Sequence, residues 1–126
     1  MLKILVIEED SERQHILKAV LMSNHYELVE SADPGIAWTK LLAGEKMPDL
    51  IICSYPQAGL SEFLQKKHGQ RISSKIPIIF LMKEEEKSNP EEIRRGPKHP
   101  YWFYLAIPFN PSSLLGKIEE MTVSVR

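Results

Sequence analysis

The chain has 126 residues, of which 43% are hydrophobic and 26% are charged, and its net charge is -1. This length and composition predict a single domain over residues 1–126 and are far from those of disordered and membrane proteins. Because 16 basic and 17 acidic residues are spread along the chain, no field attracts nucleic acid or anionic lipid, and we expect neither as a partner.

The first predicted strand is short and apolar, and acidic residues follow it. Its sequence, LKILVI, is rich in β-branched residues, as in a strand that is covered on both faces. The acidic stretch Glu8-Glu9-Asp10 comes too early for a signal peptide. No later apolar run approaches the ~20 residues of a membrane span, so we expect a cytoplasmic protein.

The next segments alternate between helix and strand. Ser11 and Gln14 have the spacing of a capping box, so a first helix begins here with Asp10 or Ser11 as its cap. The stretch YELVES then alternates as a second strand. Asp33 and Pro34 predict the start of a second helix. The apolar stripe of that helix is predicted to contain Ile36, Ala37, Leu41 and Leu42.

The second half continues the alternation. MPDLIICS predicts the third strand, with Cys53 as a buried and inert thiol. LSEFLQKKHG predicts a helix, and its basic run Lys66-Lys67-His68 is expected to be a solvated face. IPIIFLM and YWFYLAI predict the fourth and fifth strands, and Asn110-Pro111 opens the last helix. Residues 83–100 predict only a short or irregular fourth helix.

Five strands that alternate with helices predict a doubly wound α/β domain with a parallel sheet covered on both faces. Ligands of such sheets bind beyond the carboxyl ends of the strands. Functional groups are therefore expected at these strand ends. The residues there are Glu8-Glu9-Asp10, Glu30-Ser31, Ser54-Tyr55, Met82-Lys83 and Ile107-Pro108.

Several blocks of the chain resemble the receiver domains of two-component response regulators. The blocks are KILVIEED, PDLIICS, GLSEFL, IPIIFLM and YLAIPFNPSSLL. The resemblance implies a flavodoxin-like sheet with strand order 2-1-3-4-5 and a role in phosphorelay signal transduction. In that family, acidic residues after the first strand and an aspartate that ends the third bind Mg²⁺. The same aspartate accepts a phosphoryl group from a histidine kinase.

The chain keeps the acidic positions of this family. Glu8 and Glu9 stand at the metal-binding positions, and Asp10 matches a commonly acidic neighbour. Glu8 and Glu9 are therefore weak candidates for Mg²⁺, and we expect no other metal or cofactor. A solvated loop is the alternative interpretation of this acidic stretch.

The other reactive positions are lost, as far as the resemblance carries over. Ser54 stands where the phosphoacceptor aspartate belongs, Met82 replaces a hydroxyl residue, and Ile107 replaces a lysine. No protein cation is therefore expected beside the glutamates, and Met82 and Ile107 are expected to fill the pocket beside Ser54. A serine needs a neighbouring base to react, and no histidine is near a strand end, so we expect no enzyme. Ser54 is expected to bond to backbone.

The resemblance also implies an aromatic residue on the fifth strand that reports the change at the site to partners. Tyr104 matches this position. Trp102 and Tyr104 are the candidate partner face, since a fifth strand is usually at a sheet edge, although core packing explains them equally well. A protein partner or self-association is expected through the predicted fourth helix, fifth strand and last helix. In this family a cis bond usually precedes the proline that Pro108 matches.

Three functions remain open from the sequence. The first is a degenerate pseudo-receiver that acts by phosphorylation-independent protein-protein interaction. The second is a phosphorylatable receiver with an unexpected acceptor such as Asp10. The third is a flavodoxin-like domain that binds a small ligand, although the first turn, EEDSE, has no glycine with which to approach a phosphate.

Overall fold

The computed structural model describes residues 2–43, 47–55, 57–69, 75–83 and 102–124. The strands are β1 (Lys3–Ile7), β2 (Glu27–Ser31), β3 (Leu50–Ser54), β4 (Ile78–Lys83) and β5 (Trp102–Ile107). The helices are α1 (Ser11–Ser23), α2 (Pro34–Ala43), α3 (Leu60–Gly69) and α4 (Pro111–Ser124). The short fourth helix that the sequence predicts before β5 lies outside the described residues. The label α4 therefore denotes the helix that the sequence predicts to open at Asn110-Pro111.

The strands form one parallel sheet in the order β2-β1-β3-β4-β5, which confirms the predicted fold. β1 pairs with two neighbours, and Ile7 lies opposite both Ser31 of β2 and Cys53 of β3. Residues that follow β1 therefore lie beside the carboxyl end of β3. The central strand β3 is buried throughout, whereas the edge strand β5 is partly exposed at every position.

Two hydrophobic clusters cover the two faces of the sheet. The first core cluster joins the sheet to α2 and α3, and the second joins it to α1 and α4, because alternate strand residues face opposite layers. The first contains Leu5, Ile7, Ala37, Leu41, Ile51, Cys53, Leu60, Phe63, Ile76, Ile78, Phe80 and Met82. The second contains Ile4, Val6, Leu17, Leu21, Leu50, Ile52, Ile79, Leu81, Leu114, Ile118 and Met121.

Short polar side chains begin three of the helices. Asp10 caps α1 by accepting from the backbone N–H groups of Glu12 and Arg13, at 2.9 and 3.2 Å. Of the two candidate caps, Asp10 is therefore the one used, and Ser11 is the first helical residue. Asp33 and Asn110 cap α2 and α4 in the same way.

Two predictions about helix faces are wrong. Ile36 and Leu42 are 47% and 57% exposed, so the buried stripe of α2 is narrower than predicted and contains Ala37 and Leu41. Lys67 is only 2% exposed, because its position in α3 shares a face with the buried Phe63. In the part of the chain that the structure describes, the helices are too short or too polar to cross a membrane.

Candidate functional site at the carboxyl ends of β1 and β3

Glu8 follows β1, and its side chain has no solvent exposure. Its backbone N–H donates to the Ser31 carbonyl at 3.0 Å, which fixes it at the end of β2. Its Oε1 accepts from the Asp10 backbone N–H at 3.1 Å and from Nη1 of Arg13 at 2.8 Å. Its Oε2 finds no donor among the described residues. Since a buried charge is costly when it is unpaired, Arg13 is the group that stabilises this carboxylate.

The first turn of α1 supplies the partners of Glu8. The Arg13 side chain is 26% exposed, and its Nη2 lies 3.7 Å from Oδ2 of Asp10. Gln14 donates through Nε2 to the Glu8 carbonyl. The expectation that no protein cation lies beside the acidic residues is therefore wrong. Arg13 was missed because its contact with Glu8 crosses the turn between a strand and a helix.

Ser54 ends β3 and is 5% exposed. The side-chain amide of Gln57 donates to its hydroxyl at 3.1 Å, to its carbonyl at 2.8 Å, and to the Ile7 carbonyl at 3.2 Å. One amide group thus bridges the ends of β1 and β3, while its own Oε1 is buried and finds no donor in the described ranges. Among the residues that the structure describes, the partner of the Ser54 hydroxyl is therefore a side chain and not the expected backbone group, and sequence analysis did not identify Gln57.

Met82 and Ile107 pack on opposite faces of the sheet. Met82 is fully buried in the first core cluster, whereas Ile107 is partly exposed and packs against the second. They do not form one apolar wall beside Ser54. Ile107 instead lines a groove of about 170 Å³ that also includes Arg13 of α1. The peptide bond between Ile107 and Pro108 is cis.

The acidic residues do not assemble into a larger cluster. Glu9 is exposed, whereas Glu8 is buried, so the two glutamates point into different environments. Within the described ranges, no group of three or more histidine, cysteine, aspartate or glutamate side chains is placed to hold a metal ion.

Trp102 and Tyr104 lie on the same side of β5 and pack against the first core cluster. The Tyr104 ring stacks on Phe80 with a centroid distance of 5.7 Å and an interplanar angle of 21°. Trp102 meets Phe80 edge to face at 5.4 Å. Both aromatics are partly exposed, and burial raises the pKa of Tyr104. They therefore pack against the core and also contribute to the surface.

Two titratable groups are buried below the site, Cys53 in β3 and Lys67 in α3. Burial, and to a lesser extent the charge of Glu8, raises the pKa of the Cys53 thiol far above its ordinary value. Burial lowers the pKa of Lys67 to about 8. The thiol is therefore buried, as predicted, and it is neutral, which is the unreactive form of cysteine.

Comparisons with known proteins agree with this architecture. Chemotaxis protein CheY1 of Helicobacter pylori is 30% identical over 120 residues, which cover 94% of this chain and 94% of that protein. The phosphate regulon transcriptional regulatory protein PhoB of Escherichia coli is 28% identical over 119 residues, and the match covers 93% of this chain. The chain spans about half the length of PhoB, since the match covers 50% of that protein.

A solved structure has the same fold. Chemotaxis protein CheY4 of Vibrio cholerae superimposes with a TM-score of 0.81 at 24% identity, over 96% of this chain and 98% of that chain. No protein-family model matches the chain.

Proposed function

This chain belongs to the response regulator receiver domains, and on that premise we propose that it is a degenerate member that signals through protein contacts without accepting a phosphoryl group. The observation that carries the proposal is Ser54. A buried hydroxyl, hydrogen-bonded to Gln57, stands at the strand end where the family places its acceptor aspartate. We expect a cytoplasmic binding module of one domain, with no enzymatic activity.

The chemistry of the hydroxyl supports this proposal. A carboxylate is an anionic nucleophile at neutral pH, whereas serine needs a base that removes its proton. The carboxylate beside this strand end belongs to Glu8, and its Oε1 is already held by Arg13 and by a backbone N–H. Among the described residues its Oε2 has no donor, and Glu8 and the Ser54 hydroxyl share no hydrogen bond, so no base is in contact with this hydroxyl there.

The contacts of Asp10 argue against its use as an alternative acceptor. Its Oδ1 accepts from two backbone N–H groups at the start of α1, and its Oδ2 lies 3.7 Å from Arg13. Phosphorylation of Asp10 would place a phosphoryl group on one of these two oxygens, so it would have to disrupt either the cap hydrogen bonds or the contact with Arg13. Asp10 is therefore a less available acceptor than a carboxylate without such contacts.

The partner surface is proposed on the exposed side of β5. This strand is at the sheet edge, and its Trp102 and Tyr104 rings are partly exposed although they pack on Phe80. Large aromatic side chains that are anchored on a core and open to solvent are common centres of protein interfaces. A partner or a second copy of the chain would cover them.

Intact mass spectrometry after incubation with acetyl phosphate and Mg²⁺ tests the absence of phosphorylation. We expect no added phosphoryl group on the wild-type chain or on the Ser54→Ala variant. A receiver domain that carries an aspartate at this strand end is the positive control. Stoichiometric phosphorylation of the wild-type chain would refute the proposal, and the Asp10→Asn variant would then identify or exclude Asp10 as the acceptor.

Self-association and partner capture test the proposed surface. Sedimentation of the purified chain, and capture of partners from the native cell, are compared for the wild type and the Tyr104→Ala variant. We expect association to be lost in this variant and retained in Ile36→Ala, which removes an exposed side chain from α2. Loss of association in Ile36→Ala alone would move the interface to α2.

A further inference from the structure

We infer that the guanidinium of Arg13 takes the electrostatic place of a divalent cation at Glu8, so that the charge of this buried carboxylate is compensated by a side chain of the same chain. The inference concerns how the pocket is held together, and it stands whether or not β5 binds a partner. It rests on the 2.8 Å contact between Nη1 of Arg13 and Oε1 of Glu8, a carboxylate with no solvent exposure.

Arg13 provides what a buried carboxylate needs. The pair is a charge-assisted hydrogen bond of normal length, and the Asp10 backbone N–H donates to the same oxygen at 3.1 Å. The second guanidinium nitrogen lies 3.7 Å from Oδ2 of Asp10, so one cation faces both carboxylates. The guanidinium remains charged at every physiological pH, and this neutralisation is therefore permanent.

The remaining oxygen donors do not fit a magnesium ion while Arg13 is in this position. Mg²⁺ requires near-octahedral oxygen coordination and usually relies on one or two carboxylates. Asp10 is occupied as the cap of α1, Glu9 is exposed, and Ser54 is a neutral hydroxyl held by Gln57. A cation at Glu8 would also be close to the positive charge of Arg13.

The pocket nevertheless retains an unused acceptor. Oε2 of Glu8 is buried and finds no donor in the described part of the chain. If the guanidinium is removed, both oxygens of this carboxylate lack a charged partner, and Asp10 loses its nearby cation. We therefore expect removal of Arg13 to create affinity for a divalent cation.

Thermal unfolding in Mn²⁺ tests the inference on four forms of the chain. The midpoint of Arg13→Met should rise by about 4–8 °C at a Mn²⁺ concentration about ten times its dissociation constant. The unfolding midpoints of the wild type and of Lys18→Met should not change with Mn²⁺. Lys18 is an exposed residue of the same helix, so Lys18→Met removes one positive charge from α1, as Arg13→Met does. The double variant Glu8→Gln/Arg13→Met should also fail to respond, because the carboxylate is gone.

Two results would overturn the inference: a rise for the wild type as large as for Arg13→Met, or no rise for a folded Arg13→Met. If Arg13→Met does not fold, amide NMR of the wild-type chain tests whether a cation binds at Glu8. Stoichiometric Mn²⁺ should leave the amide signals of Glu8, Asp10 and Arg13 unbroadened. Selective broadening of these signals would show that a cation binds despite the guanidinium. Neither result depends on phosphorylation or on a partner.

Discussion

Arg13 and Glu8 form an ion pair of 2.8 Å that joins the first turn of α1 to the end of β1. The glutamate side chain is fully buried, and the arginine side chain is about a quarter exposed, at 26%. Removing one partner of such a pair costs more than the pair contributes, because the other charge is left buried without compensation.

Arg13→Met is expected to lower the free energy of unfolding by about 2–3 kcal/mol. This loss is smaller than the loss expected for a completely buried ion pair, because the Arg13 side chain is partly exposed to water. Urea denaturation measures the loss, with Lys18→Met as the control, for which we expect a change within about 0.5 kcal/mol. The double variant Glu8→Gln/Arg13→Met should lose less than the sum of the single variants, and additive losses would contradict the pairing.

The two candidate caps of α1 are distinguished by a pair of alanine variants. Asp10→Ala is expected to lower the free energy of unfolding by about 1 kcal/mol, because Asp10 accepts from two backbone N–H groups. Ser11→Ala is expected to change it by less than about 0.5 kcal/mol. A larger loss for Ser11→Ala in urea denaturation would show that the serine is the cap.

The low pKa of Lys67 makes stability depend on pH. Native Lys67 releases its proton near pH 8, whereas the unfolded side chain keeps it up to the ordinary pKa of 10.5. In this window the unfolded chain binds more protons, so the wild type gains stability as pH rises. The free energy of unfolding of the wild type, relative to that of Lys67→Met, should rise by about 3 kcal/mol between pH 8 and pH 10.5. Below pH 8 this relative free energy should no longer change with pH.

Urea denaturation of both chains across this pH range measures the effect. The titration of Cys53 and of the tyrosines is common to the two chains and largely cancels in the difference. If the difference in free energy of unfolding between the wild type and Lys67→Met stays constant or falls from pH 8 to pH 10.5, Lys67 keeps its proton in the native state.

Cys53 should react only in the unfolded chain. It is 1% exposed, and burial raises the pKa of its thiol. Near pH 8.5, where a free cysteine is about half ionised, a reagent such as DTNB should label the native protein no faster than the chain unfolds. The urea-unfolded chain is the positive control. Rapid labelling of the native chain would show that the thiol is accessible.

The fold was predictable because its signals are local and repeated. Apolar strands such as IPIIFLM, and helix starts such as Asp33-Pro34, are visible in short windows of sequence. The alternation of five strands with helices then leaves few topologies. The burial of Cys53 followed from its position inside an apolar strand.

The site was less predictable because it depends on side chains that meet across turns. Arg13 and Gln57 lie in segments whose sequence does not show where their side chains point. Lys67 belongs to a basic run that composition assigns to solvent, yet helical geometry places it on the face of Phe63. Met82 and Ile107 were assigned to one wall because both end strands, but strand alternation sends them to opposite faces.

The most direct test of a receiver that signals without phosphorylation is its amide NMR spectrum with and without acetyl phosphate and Mg²⁺. The signals of Glu8, Ser54 and Tyr104 are expected to keep their positions, because Arg13 compensates the charge of Glu8 and no acceptor reacts. Concerted shifts at the strand ends and at Tyr104 would show that the pocket accepts a phosphoryl group and transmits the change to β5, and signalling without phosphorylation would then be refuted.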